Sequence, residues 1–61
     1  MKLQYTGPSD EELEQGKVYL IAVVIPGEFR CYITVDLDKP HVRRNYNDLE
    51  KFMEAWRLPD E

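Results

Sequence analysis

Val18-Tyr19-Leu20-Ile21-Ala22-Val23-Val24-Ile25 is an unbroken apolar run of eight residues, preceded by Gly16-Lys17 and closed by Pro26-Gly27. A membrane-crossing helix needs roughly 20 apolar residues, so this stretch is too short to be one. It is rich in β-branched residues and bounded by turn signals, which predicts a strand with both faces covered. The rest of the chain then has to supply the cover.

Downstream, Ile25-Pro26-Gly27-Glu28 has Pro and Gly at the two central positions of a type II turn. Phe29, Cys31, Ile33 and Val35 then alternate with Arg30, Tyr32, Thr34 and Asp36. That period of two predicts a second strand, hairpinned to the first, with the apolar set facing the core and the other set wet. Asp36-Leu37-Asp38-Lys39-Pro40 reads as a loop. His41–Tyr46 reads as a third strand, with Val42, Arg44 and Tyr46 on one face and His41, Arg43 and Asn45 on the other. Asn47-Asp48-Leu49-Glu50 opens a helix over 47–57, in which Leu49, Phe52, Met53 and Trp56 fall at i, i+3, i+4 and i+7. Leu58-Pro59 is its expected stop.

Upstream, Leu3 and Tyr5 alternate with Lys2, Gln4 and Thr6, which suits a short half-buried strand ended by Gly7-Pro8. Ser9 and Glu12 have the spacing of a capping box. Residues 9–15 therefore form either a helical turn or an irregular loop with Leu13 tucked inward, and Gly16 is placed to end it in the left-handed conformation.

A chain of 61 residues makes one domain. At this size only about 60% of the unfolded surface is buried, and staples are usually needed. One cysteine, Cys31, excludes an intrachain disulfide, and one Cys with one His, His41, cannot close a tetrahedral zinc site. Asp36, Asp38 and His41 lack the ligand number and spacing of a calcium loop, and no glycine-rich phosphate loop is present. No metal and no cofactor is therefore expected. The net charge is −4, with −3 in residues 1–28 and −1 in residues 29–61. That acidity counts against general binding to phosphate backbones. Met1-Lys2-Leu3-Gln4-Tyr5 turns polar too soon for a signal peptide, so a cytoplasmic protein with no membrane role is expected.

Tyr5-x-Gly7 and Leu13-x-x-Gly16-Lys17-Val18-Tyr19, followed by an apolar strand, resemble the opening of short bacterial and phage proteins with SH3-like barrels and no assigned activity. The resemblance covers about residues 3–36. It implies a mainly β fold with a C-terminal α-helix: a small SH3-like antiparallel barrel, closed or incompletely closed, packed by that helix. Leu20 stands where the family pattern usually has a polar residue, and a helix over 47–57 stands where it usually has a short turn and a last strand. If Tyr19, Ile21 and Val23 face the interior, then Val18, Leu20, Ala22 and Val24 need cover. Either the helix stripe supplies it, or a second copy docks across Val18, Leu20 and Val24 as a homodimer.

No catalytic constellation stands out. A Cys31–His41 nucleophile and base pair is disfavoured because a thiol among apolar neighbours is inert. The distinctive polar surface is Arg30, Tyr32, His41, Arg43, Arg44 and Tyr46, on two neighbouring strands. Arg and Tyr are enriched at protein-binding hot spots, and they also stack on single-stranded bases. The expectation is a non-enzymatic protein-interaction module, an adaptor or inhibitor. The alternative is a small nucleic-acid-binding barrel using the Arg/Tyr face.

Overall fold

A computed structural model describes residues 1–26 and 31–59. Among them are β1 (Lys2–Tyr5), β2 (Val18–Val24), β3 (Tyr32–Asp36), β4 (Arg43–Tyr46), α1 (Leu49–Ala55) and β5 (Trp56–Arg57). The strands form one antiparallel sheet in the order β4-β3-β2-β1-β5, with β4 and β5 as its free edges. The sheet is not closed into a barrel. The expected turn at residues 25–28 falls partly, and Phe29 and Arg30 wholly, outside the described residues.

The run that opens the sequence is the central strand. Its first half pairs with β1, Leu20 opposite Lys2 and Val18 opposite Gln4. Its second half pairs with β3, Ala22 opposite Val35 and Val24 opposite Ile33. One strand thus serves two neighbours along different parts of its length.

The expectation that both of its faces are covered is not met. Ile21 is 1% exposed, whereas Val18, Leu20 and Val24 are 42%, 39% and 47% exposed. The reason is α1, which does not lie across the outer face. Phe52 packs instead on the inner side, its ring 5.6 Å from Tyr32 and 5.9 Å from Tyr46. The core comprises Leu3, Tyr5, Leu13, Ile21, Val42 and Trp56, with Tyr19, Val23 and Phe52 against it.

Two further expectations are corrected. On β3 the period of two is right but the faces are exchanged. Thr34 and Asp36 are buried, at 2% and 3% exposure, while Ile33 and Val35 are only half-buried on the outer face. Asp36 is satisfied locally. The Asp36 carboxylate accepts from the amides of Asp38 (2.9 Å) and Lys39 (3.3 Å), folding the following loop back on itself. The helix is also shorter than 47–57. It has Asp48 as N-cap, accepting from the Lys51 amide at 2.8 Å, and ends at Ala55. Helix C-termini leave orphan carbonyls, and here Thr6 takes two of them. Its amide donates to the Ala55 carbonyl (2.7 Å) and its hydroxyl to that of Glu54 (2.8 Å). Trp56 is then extended and pairs with Tyr5 as strand, not as part of a helical stripe. Leu49 and Met53, expected on the packed side, are 49% and 58% exposed.

Residues 9–15 take the irregular-loop alternative. Asp10, not Ser9, organises its start, accepting from the amides of Glu12 (2.8 Å) and Leu13 (2.9 Å), and Leu13 is 2% exposed. Gly16 has φ +88°, as its position at the loop end requires.

Candidate functional site

The six polar residues singled out in the sequence are not gathered on one surface. Arg30 lies outside the described residues. Tyr32 and Tyr46 pair across β3 and β4 and turn inward, where both meet Phe52. The Tyr46 hydroxyl also accepts from the Trp56 indole N–H at 2.8 Å. Arg44 faces the acidic loop, its Nη2 3.0 Å from the Asp10 carboxylate and 3.0 Å from that of Glu12. The amides of Glu12 and Leu13, with Arg44 beside them, hold the Asp10 carboxyl below its ordinary pKa. Only His41 and Arg43 remain exposed, and neither has an exposed aromatic of the proposed cluster beside it. Among the described residues, the members of the expected Arg/Tyr surface therefore divide between the two faces of the sheet. Cys31 is half-buried and His41 is exposed.

The outer sheet face is the larger surface. Register places Ala22 beside Val35 and Val24 beside Ile33, and Leu20 continues the same side of β2. Along its margins the same face carries Lys2 opposite Leu20, Gln4 opposite Val18, Arg43 opposite Val35 and Asn45 opposite Ile33. Lys2 and Arg43 thus rim an apolar centre. None of these outward positions is a carboxylate, in a chain whose net charge is −4. Val18, Leu20 and Val24, the self-association candidates, all lie on this face. What the sequence reading missed was Ile33 and Val35, whose alternation was visible but whose side was not.

A second apolar surface lies on the outer flank of α1. Leu49, Glu50, Met53, Glu54 and Arg57 line a shallow depression of about 450 Å³. Met53 also borders a groove of about 570 Å³ with Met1, Leu3, Phe52, Trp56 and Leu58. A third hollow, about 400 Å³, lies between β4 and α1 beside Arg44 and Tyr46.

No family model, no curated protein and no solved structure matches this chain. The site must be read from its own chemistry. Among the described residues no cluster of three or more His, Cys, Asp or Glu is arranged to hold a metal ion. No helix among them is long and apolar enough to cross a membrane.

Proposed function

We propose that this chain is a non-enzymatic interaction module, a small adaptor or inhibitor that engages another protein through the outer face of β2 and β3. The observation that carries the reading is the face itself: Leu20 and Val24 stay 39% and 47% exposed beside Ile33 and Val35, within a polar rim. A contiguous apolar patch inside a polar margin is the usual anatomy of an association surface. Isolated exposed apolar residues would carry no such meaning.

An SH3-like curl belongs to the same proposal. It is supported by the sharing of β2 between β1 and β3 and by the helical turn placed just before a short last strand. Small barrels host many unrelated roles, so the role rests on the surface and not on the architecture. A cytoplasmic setting fits a single half-buried thiol that needs no oxidising compartment.

The test compares proteins retained from a lysate by the immobilised wild type with those retained by Val24→Glu, using Glu11→Lys on the acidic loop as a control. The reading expects partners that the wild type and the loop variant hold and Val24→Glu releases. An identical set on all three, or none on any, overturns it.

A further inference from the structure

Strand register lines up two rows across the outer sheet face. One runs Arg43, Val35, Ala22 through β4, β3 and β2, and the other runs Val18, Gln4, Arg57 through β2, β1 and β5. Between the rows, Lys2 stands opposite Leu20. The outward positions of the strands therefore include Lys2, Arg43 and Arg57 but no carboxylate, in a chain whose net charge is −4. All three cations are exposed, and none of them forms an ion pair among the described residues. Arg57 also borders the α1 depression with Glu50 and Glu54, where Glu54 is 4.0 Å from Lys51.

Arg43 and Arg57 lie on opposite sides of β2, each two strand spacings or about 10 Å from it. Their rows meet β2 at Ala22 and Val18, about 13 Å apart along the strand. Leu20, Val24, Ile33 and Val35 form the apolar floor between them. An α-helix with its side chains is about 10–12 Å across. A helix laid along β2 thus covers the floor and brings each of its flanks beside a cation. A second copy of this face would instead set one cationic margin against another, which disfavours that pairing. A lipid surface is matched less well, because the outward positions hold none of the tryptophan or tyrosine enriched at membrane interfaces.

We infer that the occupant of this face is an acidic amphipathic helix of a partner protein. It lies along β2 with its apolar stripe on Leu20, Val24 and Val35, and carboxylates on its two flanks meet Arg43 on one side and Lys2 and Arg57 on the other. The inference rests on the reading of the outer face as a docking surface and adds the chemistry of what docks there.

A synthetic helix-forming peptide of about 15 residues, long enough to span β2, serves as the probe. It carries a leucine stripe and glutamates on both flanks, and a matched control carries lysines instead. Titrated into isotope-labelled protein and followed by NMR, the acidic peptide should shift Leu20, Val24 and Val35, and high salt should weaken it. Val24→Glu should abolish binding. Arg43→Glu and Arg57→Glu should each weaken it by about three- to tenfold, and Glu11→Lys should leave it unchanged. A peptide with glutamates on one flank and lysines on the other should prefer Arg43→Glu over wild type. The four substituted positions are exposed, so circular dichroism should find each variant folded.

No binding of the acidic peptide at millimolar concentration overturns the inference, as does equal binding of the lysine control or indifference to both arginine reversals. Wild type that ignores the peptide but binds phosphatidylserine vesicles would replace the helix with an anionic bilayer. Wild type that sediments as a dimer, lost on Val24→Glu, would replace it with a second copy. If the peptide fails while Val24→Glu still loses lysate partners, the acidic helix is overturned and the docking face stands.

Discussion

A β-carbon placed on Gly7 would lie 2.6 Å from the Tyr5 hydroxyl and 2.8 Å from ring atom Cζ. The ring cannot easily give way. It packs 5.1 Å from the Trp56 ring, and its hydroxyl donates to the Pro8 carbonyl at 2.9 Å. Gly7→Ala should therefore cost about 1–3 kcal/mol, the usual range for overpacking, measurable as a lowered urea midpoint at unchanged slope. Gly16 differs: its added β-carbon meets open space, and only its φ of +88° resists substitution. The Tyr-x-Gly spacing in the sequence is thus a packing contact, which explains why it speaks to fold and not to activity. Asp10 makes a second residue-scale prediction. Its carboxyl is held below the ordinary value, first by the Glu12 and Leu13 amides and then by Arg44. A carboxyl with a depressed folded pKa contributes stability above its unfolded pKa, about 4, and that contribution is lost as pH falls through the folded value. Wild type should lose stability on acidification through this window, and Asp10→Asn should lose less. Denaturation followed from about pH 6 to about pH 2 checks the sign.

On the scale of whole elements, β3 is the instructive case. Both of its faces are credible cores, since Ile33 and Val35 offer one and Tyr32, Thr34 and Asp36 the other. A period-two pattern does not by itself say which side is inward. Tertiary packing chose the second, because Phe52 arrives on that side to meet Tyr32 and because Asp36 is spent on its own loop. Tyr32→Ala should consequently cost about 2–3 kcal/mol, somewhat below the range for fully buried aromatics. Val35→Thr on the outer face should stay within about 1 kcal/mol. The opposite order in urea titrations would restore the faces expected from the alternation. The α1–β5 boundary has the same character. Apolar spacing continued through Trp56, but Thr6, fifty positions earlier in the chain, captured the last carbonyls and turned the next residue into strand. Trp56→Phe retains most of the packing and loses the 2.8 Å hydrogen bond to Tyr46. Its cost should fall near 1–2 kcal/mol, and it should shrink in a Tyr46→Phe background.

For the molecule as a whole, a small chain without an intrachain disulfide leaves an apolar sheet face open, and its charges are unevenly placed around that opening. A protein held by the proposed docking face stabilises the native state by mass action. The thermal midpoint of the wild type should accordingly rise on mixing with a protein it retains, and that of Val24→Glu should not, as scanning calorimetry would resolve. Much of this architecture was already legible in the amino acids. The central apolar run, the alternation of Leu3 with Tyr5, the shared face of Val42, Arg44 and Tyr46, and the start of α1 all follow from short-range patterns of hydrophobicity and capping. The candidate site was legible only in part. Val18, Leu20 and Val24 could be suspected of lacking cover, whereas the proposed Arg/Tyr surface dissolved once Tyr32 and Tyr46 turned inward and Arg44 met Asp10 and Glu12. By itself the sequence determined roughly where β1 to β4 lie and that they alternate with a period of two, though not β5, because local sterics and burial period act over a few positions. Which face of each strand is wet, where the helix stops and which apolar residues stay bare were decided only by contacts between segments far apart in the chain, such as Thr6 with Glu54 and Arg44 with Asp10.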